Sequence, residues 1–338
     1  MSIADQITRL QNAKASIKTS IENKGVTVSD DTKLDGYPAL IDNIQTGGSG
    51  GETTSSYWPG FFESRTRKGE AQEHARFLFA YGYIKDENDK NLIENMDTSN
   101  MVSMNSMFYY LNNYNTLSSI EDLDLTKWDV SKSKDFQSLF YSCKLKTINI
   151  SGWNFSSATS FYNMFNSAYI STISMLNCNT STIKDWSYSF SYSKSASIDM
   201  TGCDTSNATT MSSMFGNSRN LTTVIGELDL SSITSGFFPT SYSNPVGSCR
   251  KLETLYLKNI YKNCTMTNDS KWSIDLSDTV VKDECLIYII NELPDLVNDK
   301  GLTATDKIIL TLPKTNTLTA EQVKVATDKG WTVANTTY

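Results

Sequence analysis

Apolar and polar positions in the middle of this chain fall in a repeating order. Ile198-Asp199-Met200 alternates with a period of two. A single buried-type residue, Cys203, follows, and then a polar stretch, Asp204-Thr205-Ser206-Asn207. Met211, Met214 and Phe215 close the unit at i, i+3, i+4 spacing. The change from period two to a period near 3.6 predicts a strand, a turn and one turn of helix. Twenty-five residues earlier stand Ile173-Ser174-Met175, Cys178, Trp186 and Phe190. The next step back gives Ile148-Asn149-Ile150, Trp153, Phe161, Met164 and Phe165. A third gives Leu123-Asp124-Leu125, Trp128, Phe136, Leu139 and Phe140. Met96–Phe108 is a further copy, followed by a seven-residue insertion. Leu228-Asp229-Leu230, Leu255-Tyr256-Leu257 and Ile274-Asp275-Leu276 read as later strands at irregular spacing.

A three-residue strand and one helical turn cannot bury a core alone, so the units must stack. A period of 20–29 residues predicts a leucine-rich-repeat type solenoid. At about 4.8 Å per turn, eight turns make a body roughly 35–40 Å long. Thr98 or Ser99, Ser156 or Ser157, and Thr205 or Ser206 are placed to cap the short helices. The phrases DTSNATTMSSMF and MDTSNMVSMNSMF resemble the BspA-like leucine-rich repeats over about Met96 to Leu276. Residues 133–140 and 174–190 keep the apolar columns but not the wording. The resemblance implies an α/β solenoid used as a binding scaffold, in surface and adhesive proteins of bacteria, in protist surface proteins or in viruses of gut bacteria.

The flanks have other patterns. In residues 3–21, Ile3, Ile7, Leu10, Ile17 and Ile21 share one stripe of a predicted helix. Their spacing fits a heptad seam, and isoleucine at both seam positions favours three or more strands, here a homotrimer. The alternative is an amphipathic helix lying on its own domain. Gly25 ends the helix, and residues 38–44 form a short second one. Gly47-Gly48-Ser49-Gly50-Gly51 is a flexible linker. This gives five parts: a helical anchor or oligomerisation segment at 1–46, a linker at 47–56, an aromatic N-terminal cap at 57–92, the solenoid at 93–280 and a C-terminal cap at 281–338. Residues 70–79 are expected to be helical. In the C-terminal part, residues 285–296 read as helix and 307–312 as strand. Thr319 and Gln322 read as a capping box, Gly330 as a helix stop, and residues 331–333 as a returning strand. The arrangement of short helices, glycine linker and large module resembles the anchoring segments of bacteriophage fibre and tail proteins.

Composition narrows the chemistry. The 338-residue chain carries a net charge of −7, which disfavours a nucleic-acid partner. No apolar run is long enough to predict a membrane span. The first sixteen residues lack the features of an export signal. The six cysteines show no metal-ligand spacing, and the single histidine, His74, reads as structural. No metal, cofactor or catalytic residue is therefore expected. Cys178 and Cys203 occupy equivalent positions of adjacent turns, either as a disulfide or as small core residues. Asp124, Asn149, Ser174, Asp199, Asp229 and Asp275 form an outward polar column, read as solvated and not as a calcium ladder. Tyr110, Tyr141, Tyr162, Tyr188 and Tyr192 are loop-borne and suited to surface recognition. The expectation is a non-enzymatic virion protein, a head or tail fibre assembled in the host cytoplasm. Residues 1–46 would bind other virion proteins, and the repeats a host-surface glycan or protein. The alternatives are a bacterial surface adhesin and a tail-associated glycan depolymerase.

Overall fold

The computed structural model describes residues 78–84, 86–113, 120–234, 244–268, 270–302 and 307–337, with Lys18 and Arg76. Ile3, Ile7, Leu10, Ile17 and Ile21, the glycine linker, His74 and most of residues 57–77 lie outside the described residues.

The alternating triplets are the strands of one parallel sheet. Six strands follow in chain order: β1 (Asp122–Asp124), β2 (Lys144–Asn149), β3 (Tyr169–Ser174), β4 (Ser197–Asp199), β5 (Thr223–Asp229) and β6 (Thr254–Lys258). Leu123, Ile148, Ile173, Ile198 and Val224 pair across the sheet and form one buried column. The protein is a parallel β-solenoid of about eight turns, with few helices.

The expected one-turn helix is absent from the 25-residue rungs. Phe161–Ala168 and its equivalents form overlapping turns. Alternate N–H groups bond within the rung, as Met164 N to Phe161 O at 3.0 Å. The intervening ones bond to the next rung, as Phe165 N to Ser189 O at 2.7 Å. A single helical turn would leave nearly all its N–H and C=O groups unpaired. Turning every second peptide along the axis pairs them rung to rung. This geometry places one residue at positive φ every four residues, seen at Ser138 and Ser142, Asn163 and Ser167, Tyr188 and Tyr192, and Ser213 and Asn217. The i, i+3, i+4 apolar spacing still points inward, because Phe161, Met164 and Phe165 are all buried.

With no helix to cap, the polar turns do other work. Asp204 Oδ1 accepts from Ser206 N at 2.9 Å, and Asn154 Oδ1 from Ser156 N at 3.1 Å. Thr205 Oγ1 instead bonds Asp229 of the next rung through both its N–H and its carbonyl. The outward column behaves alike: Asp124, Asn149, Asp199, Asp229 and Asp275 each accept from the N–H two residues on, but Asp229 is buried and not solvated as expected.

The strict 25-residue register ends at β5, where Ile198 pairs with Val224. Against β6 the register of β5 then shifts, from Thr223 on Thr254 to Leu228 and Asp229 on Leu257 and Lys258. The bulge is at Gly226, with φ +102, where a Cβ would meet the Met200 carbonyl at 3.0 Å.

The two ends carry the helices. Before the sheet lies α1 (Glu87–Glu94), capped by Asp86. After it, β7 (Ile274–Asp275), β8 (Ile309–Thr311) and β9 (Thr332–Ala334) form a three-stranded parallel sheet. Between these strands run α2 (Asp283–Glu292) and α3 (Ala320–Asp328). Both bonds of the Thr319–Gln322 capping box are formed, and Gly330 takes φ +84 as the left-handed stop. Lys329 Nζ donates to three carbonyls at the end of α2, those of Ile290, Asn291 and Leu293. Burial holds its ammonium below the usual lysine value. Phe79 lies in a turn, not in a helix. Phe79 N bonds Met107 O and Tyr81 N bonds Tyr109 O, so this segment is itself a rung.

Candidate functional site

Stacking the turns produces an inner and an outer aromatic column. Inside, Phe79, Phe108, Phe140, Phe165, Phe190 and Phe215 stack in sequence with ring centroids 4.9–5.5 Å apart. Outside, Tyr81, Tyr109, Tyr110 and Tyr141 form one cluster. Tyr81 stacks on Tyr110 at 5.5 Å, and Tyr109 on Tyr141 at 4.9 Å. Tyr162 meets Tyr188 edge-on at 5.8 Å. Tyr192 is 54% exposed, in the same column as Tyr110. Of the five tyrosines picked out by sequence, Tyr110 and Tyr141 are thus brought together, Tyr162 and Tyr188 form a second pair, and Tyr192 stands apart.

Sequence reasoning missed Tyr81, which is 60% exposed. Its signal was present. Phe79-Ala80-Tyr81, Phe108-Tyr109-Tyr110 and Phe190-Ser191-Tyr192 share the spacing Phe-x-Tyr.

Tyr81, Tyr110, Tyr188 and Tyr192 all occupy the left-handed region, with φ between 56 and 59. A bulky residue there costs on the order of 1–2 kcal/mol. Serine and asparagine fill the same positions in neighbouring rungs, so the turn does not require tyrosine. Residues held against a backbone preference concentrate where a side chain is needed for function.

The face is also uncharged. Residues 78–84, 104–113, 136–143, 161–168, 186–193, 211–218 and 244–249 contain no Asp, Glu, Lys or Arg, in a chain that is 20% charged. Charges sit at its margins: Asp135 and Asp185 are bonded into the turns through Asn105, Ser103 and Ser160, Asp278 accepts from Ser248 N, and Lys134, Lys144, Lys184, Lys194, Arg219 and Arg250 are exposed beside them. On the strand side they are frequent and paired, as in Lys146–Glu121, Lys258–Glu227 and Lys282–Glu253.

A concavity of about 400 Å³ opens at the β5 bulge between Gly202–Thr205, Gly226, Glu227, Asp229 and Lys258. Its carboxylates are engaged. Glu227 accepts from Tyr288 Oη at 2.7 Å and Lys258 Nζ at 3.2 Å, and these bonds hold its carboxyl below the usual range. Asp229 accepts from Ser231 N and Asn259 Nδ2. Among the described residues, no group of three or more metal-binding side chains converges. None of their helices is long and apolar enough to cross a membrane.

Cys178 and Cys203 are free thiols, as are the other four cysteines. Their column has a definite role. Trp128 and Trp153 donate their indole N–H to Ile93 O and Leu125 O at 2.9 and 2.7 Å. Cys178 and Cys203 donate in the same way to Ile150 O and Met175 O at 3.1 and 3.2 Å. The column therefore calls for a residue with a donor, buried at Trp128, Trp153 and Cys178 and half-buried at Cys203, and both residue types supply one.

Residues 81–174 and 170–239 match a family described as Mycoplasma protein of unknown function, DUF285. The match supports a BspA-like repeat protein and carries no information about a virion. No curated protein and no solved structure matches the chain significantly.

Proposed function

We propose that this BspA-like repeat solenoid is a non-enzymatic attachment protein of a bacteriophage particle, a head or tail fibre. Residues 1–46 bind other virion proteins, as a homotrimer, and the rungs present a recognition surface to the host cell. The observation that carries the recognition part is the outer tyrosine column, kept in a disfavoured backbone conformation on an uncharged face. The anchoring part rests on the apolar seam Ile3, Ile7, Leu10, Ile17 and Ile21, followed by the glycine linker.

A bacterial surface adhesin is the second reading, favoured by the repeat type itself. A glycan depolymerase is less well supported. Glycoside hydrolysis needs a carboxyl kept protonated near neutral pH beside a second carboxylate. Glu227 is instead held ionised by Tyr288 and Lys258.

Gene position separates the first two readings. A place among head and tail genes supports the virion role; a place among export or cell-wall genes contradicts it. Deleting residues 1–46 is expected to abolish incorporation into particles while the repeat body stays folded. Undiminished incorporation would remove the anchoring role. Incubation with host polysaccharide is expected to leave its chain length unchanged, and shortened chains would make the protein an enzyme.

A further inference from the structure

We propose that one margin of the turn face binds an anionic polysaccharide, laid along the rungs against Lys144, Lys194, Arg219 and Arg250. The inference rests on the surface-recognition reading above for where such a polymer is met, and it names the polymer's chemistry.

The column follows from the turns. Cys143, Ala168, Ser193, Ser218 and Cys249 are buried, and each closes its turn by bonding its N–H to the carbonyl three residues back. The residue after each therefore emerges at one position of successive rungs. Those residues are Lys144, Tyr169, Lys194, Arg219 and Arg250, and all five are exposed. Four steps of about 4.8 Å set them along a line roughly 19 Å long.

Two features select an anion. The first is sign. Residues 136–145, 161–170, 186–198, 211–226 and 244–252 contain five Lys or Arg and no Asp or Glu, in a chain of net charge −7. The opposite margin differs, because there Lys134 and Lys184 stand next to Asp135 and Asp185. The second is pairing. Lysines of the strand side have carboxylate partners, as Lys146 has Glu121 and Lys282 has Glu253. Among the described residues, none of the four cations of the column makes an ion pair. Lys194 Nζ lies over the Tyr169 ring, 5.8 Å from its centroid. Lys194, Arg219 and Arg250 hold equivalent positions of three successive rungs, where like charges repel. A bound anion relieves that repulsion, and the two guanidinium groups suit carboxylate or phosphate oxygens.

The form of the strip selects a polysaccharide. A line one side chain wide is far smaller than the patch of about 800 Å² that a protein partner covers. It also has no apolar centre, since Leu145 and Ile170, which follow Lys144 and Tyr169, are buried. A nucleic acid carries a much denser row of phosphates, and beyond four cations it would meet a molecule of net negative charge. A polysaccharide with one anion on each sugar, or on every second one, spreads its charge as sparsely as the strip does.

The test compares the full chain with the strip variant Lys194→Gln, Arg219→Gln, Arg250→Gln. The control Lys127→Gln, Lys134→Gln, Lys184→Gln loses the same charge elsewhere. The probes are polygalacturonate, a glycerol-phosphate polymer, neutral dextran, polyglutamate and single-stranded DNA. The expected result is binding to polygalacturonate or to the glycerol-phosphate polymer, weakened by salt and absent with dextran. Which polymer binds tells carboxylate from phosphodiester. The strip variant should lose about tenfold or more in affinity while the control keeps it. Its urea midpoint should equal or exceed the parent's, because repulsion is relieved. The inference is overturned by no binding to either acidic polysaccharide, by an equal loss in the control, or by a strip variant that binds as well as the parent. A lower urea midpoint also overturns it, by making the cations structural. Tighter binding of polyglutamate or DNA than of either polysaccharide overturns it by making a protein or a nucleic acid the occupant. On a panel of bacterial cells, binding should fall in the strip variant alone. Cell binding that the strip variant retains overturns the strip and leaves surface recognition in place. Polymer binding without any cell binding removes surface recognition and leaves the strip.

Discussion

The most repeated device at the scale of single residues is an aspartate or asparagine whose side chain closes its own turn. Asp97 accepts from the Ser99 hydroxyl and N–H, and Asp129 stands likewise before Ser131. In both, the serine hydroxyl and then the backbone N–H hold the carboxyl below its ordinary value. A lowered folded-state value means that the contribution to stability is present above the unfolded carboxylate value, about 4. It is lost as pH falls through the lower folded value. Asn154 and Asn179 do the same work without a titrating group. The double variant Asp97→Asn, Asp129→Asn is thus expected to fold, and its urea midpoint should decline less steeply between about pH 5 and about pH 2 than the parent's. The Trp/Cys column gives a second prediction. Trp153→Phe keeps an apolar ring and leaves Leu125 O with the Trp128 N–H alone, and urea unfolding should show a loss of about 0.5–1.5 kcal/mol. That this column was buried could be read from the sequence. That it demanded a donor could not, because the acceptor lies 28 residues away in the chain.

Within one rung, the strand could be read and the helix could not, for a physical reason. Alternation over three residues fits only one pleated geometry, and Leu123, Ile148, Ile173 and Ile198 pair as their spacing predicts. The spacing Phe161, Met164, Phe165 is satisfied equally by a helical turn and by overlapping tight turns. What decides is backbone pairing, since stacked turns bond to their neighbours and a lone helical turn does not. Helix α1 escaped notice because only Ile93 of its eight residues is buried, so it carries little apolar periodicity. Longer helices declare themselves by their ends, as α3 does through its capping box. The phenylalanine ladder makes the rung a packing unit. Phe165 stacks between Phe140 at 4.9 Å and Phe190 at 5.3 Å. Phe165→Ala should cost about 3–5 kcal/mol by chemical denaturation, the range for opening a large cavity in a close-packed core. A cost below about 1 kcal/mol would show that the ladder is loosely packed.

Across the whole molecule, repetition turns small local choices into faces. One tyrosine on one turn is a minor surface feature, whereas tyrosines at matching positions of adjacent turns, Tyr81 with Tyr110 and Tyr109 with Tyr141, stack into a cluster. The five tyrosines named from sequence were found because loop-borne aromatics are conspicuous. Their alignment, and the membership of Tyr81, depended on which N–H bonds to which carbonyl in the next rung. The end of the strict repeat was visible as irregular spacing, but its cause was not: β5 shifts its register against β6 between Thr223 and Glu227, across a glycine that no side chain could replace. Between residues 144 and 193 the rungs are interchangeable, and this gives the most direct test. Removing residues 169–193, one full period, joins Ala168 to Lys194 and puts Lys194 in the place of Tyr169. The shortened chain is expected to keep a cooperative urea transition and the same β-type circular dichroism. Removing residues 169–190, three fewer, should abolish both by shifting every apolar column out of line. If the 25-residue excision unfolded the protein, or the 22-residue one were tolerated equally well, the chain would not be a stack of equivalent rungs and the recognition face built from them would lose its basis.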